Sequence, residues 1–304
     1  MRRQDGRAGG GMAGWLEQAR TGEGLGCLPV QLACVSDSLQ LGDFAGPLWR
    51  SGFGLALKRQ LPALFDLLFA EQARLGRLYA LHTPTAQVQP GQPFTLGFTL
   101  FGPASAHAQL CVQAFAALGA LGLGRARGLF RVESAQVAGA SAPFWQASHG
   151  LTAWPRPLPA AHWLARAHPA RGLRLHLRSP LRIKDHNQLC HTLDAPQLVR
   201  RLHGRLGQLC DAAGEAFPLS EAELAAQRQA AEALRLGPAQ LNWRNIARRS
   251  SRSQQHMVFG GLTGQLELHG ELTPLTGLLA LGEVLQLGGK TTFGFGCMHA
   301  EWLD

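Results

Sequence analysis

Polar and apolar residues alternate along some stretches of this chain and recur at helical spacing along others. Leu266 and Leu268 fall on one face of an extended segment, and Gln265, Glu267 and His269 on the other. Leu173, Leu175 and Leu177 alternate in the same way with Arg174, His176 and Arg178. Leu28 to Val35 predicts another strand. Helical spacing appears in Leu275, Leu278, Leu279 and Leu285, and again in Leu198, Leu202, Leu206 and Leu209. Phe53 to Phe69 reads as largely helical, with Pro62 expected to interrupt or restart the helix. Ser220 with Glu223 forms a capping box that opens a further helix.

Two segments follow one plan. The first runs from Phe94 to Gly102, through apolar Leu110 to Leu121 and Gly122-Leu-Gly124, to Gly128-Leu-Phe-Arg-Val132. The second runs from Gly264 to Gly270, through Leu275 to Leu287 and Gly288-Gly289-Lys290, to Phe293-Gly-Phe-Gly-Cys-Met298. Each reads as strand, helix, glycine-rich loop, strand. The interval from strand-end glycine to loop glycine is 20 residues in the first (102 to 122) and 18 in the second (270 to 288). Two unrelated α+β hairpins in a glycine-rich chain are the plain alternative. The near-equal spacing favours a repeat, each copy being half of a β-α-β-β-α-β unit. The expected fold is therefore α+β, with tandem ferredoxin-like (RRM-like) domains. The expected boundaries are a flexible N-terminus over 1–24, a first domain over 25–143 and a linker over 144–165. A second domain with the glycine-rich loop is expected over 166–304. Pro143, Pro155, Pro157 and Pro159 mark the junction.

Gly288-Gly-Lys-Thr-Thr292 invites comparison with a nucleotide-binding P-loop, but the spacing fails. Val284 stands where the first glycine is needed, and the loop follows a helix instead of opening one. The glycines admit two readings. They let backbone N–H groups approach phosphate, with Lys290 adding charge, or they simply serve a tight turn.

Charge sharpens the picture. Lys plus Arg total 29 against 20 acidic residues, a net charge of +9. That excess favours a polyanionic partner, although a basic composition that uses Arg at any surface would also produce it. The six cysteines show no CxxC spacing and read as small core residues, so no metal or cofactor is expected. No signal peptide is read in Met1 to Ala19, Met12 is an alternative start, and no apolar run approaches the 18 residues of a membrane span. The expected location is cytoplasmic.

The segment Leu287-Gly-Gly-Lys-Thr-Thr-Phe-Gly-Phe-Gly296 resembles the C-terminal glycine-rich signature of the Cas-six family of CRISPR-associated endoribonucleases, in the RAMP superfamily. Three further stretches are similar to that family. They are Phe44 to Gly54, Leu100-Phe-Gly102 with Gly122 to Gly128, and Trp243 to Gly264 with its Arg249-Ser-Ser-Arg252. Together they span most of residues 28–303. The resemblance implies tandem ferredoxin-like domains, binding of CRISPR repeat RNA or guide RNA, association with other CRISPR effector subunits, and one metal-independent cut in precursor RNA. The alternative within the superfamily is a non-catalytic subunit that holds guide RNA. Many relatives use a Tyr or His near the first helix; here no His lies between Met1 and Leu81, and Tyr79 is the only tyrosine.

Metal-free RNA cleavage needs a base for the 2′-OH, an acid for the leaving 5′-oxygen and positive charge on the phosphorane. Arg244, Arg248, Arg249 and Arg252, with Ser250 and Ser251, form a basic segment free of acids, expected to be an RNA-contacting loop or hairpin; Trp243 is a candidate for base stacking. His256 beside it is the first candidate acid or base, and Arg252 is a further catalytic candidate. Arg50, Lys58 and Arg59 form a second cluster, Arg50 and Lys58 being catalytic candidates and Arg59 an RNA contact. Arg174, Arg178, Arg182 and Lys184 form a third, read as a phosphate platform. Gly288, Gly289, Lys290, Gly294 and Gly296 are read as a cradle for the RNA backbone. The competing reading for each cluster is ordinary solvated charge.

Overall fold

A computed structural model describes residues 24–42, 44–69, 77–249 and 256–303, with the backbone alone at 247–249 and 256–258. The chain order begins β1 (Gly26–Ser36), α1 (Gly46–Gln60), α2 (Pro62–Phe69), β2 (Tyr79–His82), β3 (Pro93–Phe101), α3 (Ala108–Leu121) and β4 (Phe130–Val137). Short elements follow: β5 (Trp145–Gln146), β6 (Gly150–Leu151), β7 (Leu158–Pro159) and α4 (Ala160–Leu164). Next come β8 (Gly172–Leu181), β9 (Lys184–Asp185), β10 (Gln188–Leu189), α5 (Ala195–Ala213) and α6 (Glu221–Ala233). The chain closes with β11 (Arg235–Arg249), β12 (His256–His269), α7 (Thr273–Leu285) and β13 (Met298–Leu303).

Both sheets carry the same strand order. The first runs β2-β3-β1-β4 and continues through β5 and β6, with β7 beside β1; the second runs β11-β12-β8-β13. Neighbouring strands are antiparallel. Each sheet centres on the first strand of its unit, the arrangement of a ferredoxin-like domain. The two domains are thus tandem copies of one α+β plan. The region expected as a linker contributes strands to the first sheet, and α4 packs on α7.

Local sequence explains most of these elements. The Asp194 carboxylate accepts from the Gln197 amide (2.7 Å) to start α5, and Gly214 ends that helix in the left-handed region. Both halves of the Ser220–Glu223 capping box form at α6. Pro62 separates α1 from α2. In the first core, Phe53 of α1 stacks on Phe115 of α3 at 4.4 Å between ring centroids. Leu206 and Leu209 of α5, with Leu281 and Leu285 of α7, join that core, so it extends across the boundary between the domains. The apolar helical run Gly102–Leu121 is 20 residues, longer than expected, and half of it is buried, as befits a core helix.

One predicted strand is absent. Phe293 to Met298 was expected to be extended, but a short 3₁₀ turn spans Thr291–Phe293 and β13 begins only at Met298. Lys290, Gly294 and Gly296 have φ of 68°, 77° and 78°, which no strand accommodates. The extra turn buries Thr291 to Phe295 in the second glycine loop, where its counterpart at Gly122–Gly128 is closed by the single bridge Leu123–Gly128.

Candidate functional site

The glycine loop crosses the seam between the two domains. Gln286, at the end of α7, donates from Nε2 to the Leu81 carbonyl of β2 (2.7 Å). Gly294 packs so closely on Thr83 that a Cβ there would lie 2.6 Å from Oγ1. Its left-handed backbone and this contact both require glycine.

Arg50 reaches the loop from the first domain. Its Nε donates to Thr292 Oγ1 (3.3 Å), and its guanidinium lies 4.5 Å from the Phe293 ring centroid and 5.0 Å from that of Phe69. Lys290 also reaches Phe293, with Nζ 5.6 Å from that ring and 5.2 Å from the Phe259 ring of β12. Two cations therefore approach one aromatic ring, whose face attracts positive charge. Behind Arg50, a groove of about 700 Å³ runs between α1, α2 and α3. Its lining includes Lys58, Arg59 and Arg127 and, among the described residues, no acid. Lys58 Nζ stands 5.8 Å from the Phe65 ring.

The basic segment is a hairpin. Arg244 pairs across it with Gly261, Arg248 with Met257 and Arg249 with His256. Arg244 is exposed. The side chains of Arg248, Arg249 and His256 are not described, and Ser250, Ser251 and Arg252 lie outside the described residues. Trp243 is less available for stacking than expected. It donates from Nε1 to Asn245 (3.0 Å), has His191 4.2 Å from its ring, and covers Gly260, where a Cβ would strike it.

Two expectations meet physical obstacles. Arg174 is taken by acids: Nη2 lies 2.8 Å from Glu267, and Nη1 3.3 Å from Glu301, which also accepts from His176 (2.6 Å). His176 and then Arg174 hold the Glu301 carboxyl below its ordinary range. The phosphate platform is thus largely neutralised, with exposed Arg178 at its edge. Arg182 and Lys184 are also engaged, through the Gly260 carbonyl (3.0 Å) and Asn187 (3.1 Å). The amide cradle is filled as well. The Gly289, Gly294 and Gly296 amides donate to the carbonyls of Arg182, Thr291 and Pro180. At Gly288 a Cβ would lie 2.5 Å from the Arg182 carbonyl. The glycines therefore have structural causes, and Lys290 is the exposed cation of the loop.

The residue reading passed over the far side of the seam. His82 bonds Thr99 Oγ1 (2.8 Å) and lies 3.7 Å from Cys297 Sγ; burial lowers its pKa to about 4. Tyr79, fully buried beside Arg50, is pushed up to about 12 by burial against the opposing pull of Arg50. At neutral pH His82 is therefore the neutral imidazole and Tyr79 the neutral phenol. No group of metal-ligating side chains occurs among the described residues.

Fold and seam together define a two-domain α+β protein with a cation-rich junction. Residues 175–298 match the family of CRISPR-associated endoribonuclease Cas6, and residues 72–154 match a second family described as an N-terminal domain. The first match covers the C-terminal domain, where the glycine-rich signature lies. Three solved structures share the fold. A Cas6 product complex is 18% identical with a TM-score of 0.60, over 90% of this chain and 100% of that one. Thermus thermophilus Cas6 is 17% identical with a TM-score of 0.58, over 91% and 99%. A Cas6-RT-Cas1–Cas2 complex is 14% identical with a TM-score of 0.58, over 92% of this chain but 29% of that one. No curated protein matches the chain.

Proposed function

We propose that this chain is a cytoplasmic endoribonuclease that binds CRISPR repeat RNA and cuts precursor transcripts into guide RNAs without a metal ion. The 2′-OH attacks the adjacent phosphate, leaving a 2′,3′-cyclic phosphate and a 5′-hydroxyl. One observation carries the reading: α1, the glycine loop and the β11–β12 hairpin, each read independently as RNA-contacting, meet around Phe293 and Phe259. Residues 25–143 and 166–304 act as the two RNA-binding domains, joined through 144–165.

Arg50 and Lys290, both beside the Phe293 ring, offset charge on the phosphorane. A guanidinium supplies charge and hydrogen-bond donors, and that is the role assigned to Arg50. Lys58, on the groove side, and His256, on the hairpin, are the proton carriers assigned to the reaction. Arg59, Arg178, Arg244, Arg248, Arg249 and Arg252, with Ser250 and Ser251, hold the RNA backbone. In-line placement of the 2′-OH supplies much of the rate. The structures of similar fold support these partners, since one is a Cas6 product complex and another a Cas6-RT-Cas1–Cas2 complex.

Labelled repeat RNA in excess EDTA, beside copies with a single 2′-deoxy at each position, tests the proposal. One cut that survives EDTA and disappears with one deoxy substitution is expected. A cut that requires added metal overturns the chemistry. Tight binding without a cut makes the chain a guide-holding subunit.

A further inference from the structure

Arg205 is a buried cation with no acid to match it. It lies on α5, 8% exposed. No carboxylate pairs with it among the described residues. Its Nε donates to the Leu285 carbonyl at the end of α7 (3.3 Å), and its Nη2 to Thr291 Oγ1 (3.1 Å). Its guanidinium also stands 5.6 Å from the Phe101 ring of the first domain. Burial drags its pKa down to about 10. Keeping a charge in such a place costs free energy, and apolar packing would fill the same space more cheaply. What Arg205 gains is a fixed geometry for the loop.

Thr291 and Thr292 are consecutive, and each receives an arginine from a different domain: Arg205 bonds Thr291, and Arg50 bonds Thr292. Lys290 immediately precedes them. Rotating Thr291 out of its bond would displace both neighbours, and with them the two cations that approach Phe293.

We propose that Arg205 is a positioning residue, clamping Thr291 so that Lys290 and the Arg50–Thr292 contact are aligned for phosphoryl chemistry. The inference rests on the endoribonuclease reading for its consequence in catalysis, but the clamp itself can be tested without it. It does not touch RNA, so it acts on rate instead of affinity.

Two variants remove one bond from opposite sides. Arg205→Met keeps the side-chain length, and Thr291→Val keeps the shape of the threonine. Each is expected to slow single-turnover cleavage of saturating repeat RNA by about tenfold to a hundredfold, with affinity changed less than about threefold. The double variant should be no slower than the worse single one, because both remove the same bond. Thr291→Ser, which retains the hydroxyl, should restore the rate. A structural role alone would lower melting temperature in Arg205→Met without this hydroxyl-dependent rescue. Hydrogen exchange of residues 287–296 gives the readout independent of activity, and faster exchange is expected in Arg205→Met and Thr291→Val but not in Thr291→Ser. Unchanged exchange overturns the clamp. Faster exchange with no cleavage even in the unmodified protein keeps the clamp and sinks the endoribonuclease reading. Loosened exchange with an undiminished cleavage rate overturns the catalytic role.

Discussion

Two basic regions of this protein treat their charge in opposite ways. On the open face of the second sheet, Arg174 is engaged by Glu267 and Glu301, and His176 shares Glu301. At the seam, Arg50 rests against Phe69 and Phe293 and bonds a threonine, with no carboxylate pairing it among the described residues. A count of arginines would favour the sheet face, with Arg174, Arg178 and Arg182. Their neighbours separate them, because an acid cancels the field a phosphate would sense, whereas an aromatic face leaves most of it available.

Substitutions should separate them in proportion. The largest effect is expected from Gly294→Val, which forces a β-branched residue into a left-handed conformation against Thr83. It should cost on the order of 3 kcal/mol or more, read as a lowered melting temperature. Arg50→Ala should slow cleavage of bound repeat RNA by about a hundredfold, the order seen when one charge-stabilising donor is lost. A rate within about threefold of the unmodified protein would remove Arg50 from the chemistry.

Acid should act on the seam next. His82 titrates near 4 when folded, below its ordinary 6.5, because burial disfavours its charged form. The unfolded chain therefore binds the proton first. Stability is complete above about pH 6.5 and falls as pH drops toward 4, by on the order of 1–3 kcal/mol. Denaturant midpoints between pH 7 and 4.5 should show the decline, and His82→Asn should flatten it. The smallest effect is expected from Arg174→Ala. RNA affinity should change less than about twofold and its salt dependence not at all, since a half-buried, acid-paired arginine releases few counterions. A slope reduced by about one unit would return the sheet face to the binding surface.

The repeated fold was legible because its signals are local. Alternation in β8 and β12, the leucine stripe of α5, the box at Ser220 and the break at Pro62 each lie within a few residues of sequence. The seam was not. Tyr79 and His82 sit on β2, four residues long, too short to show a period. Their partners Arg50, Thr99 and Cys297 are brought to them only by the tertiary fold. The pairing of Arg174 lies between these cases. Glu267 already stood on the polar face of its strand, but only the register Arg174–Glu267 and Arg174–Glu301 in the sheet turns that pattern into ion pairs. The glycine loop was recognised while its conformation was misjudged, because an apolar Phe-Gly-Phe run reads as strand when positive φ values are unknown.

The bond from Gln286 to the Leu81 carbonyl joins residues 205 apart in sequence. On a ribosome that distance is time. At about 5–20 residues per second, β2 emerges on the order of ten to forty seconds before the loop that covers it. Throughout that interval a nascent first domain can fold, yet the seam does not exist. Any intermediate that stalls before Lys290 displays Arg50 without its counterpart, so the cation-rich seam is completed late in synthesis and all at once.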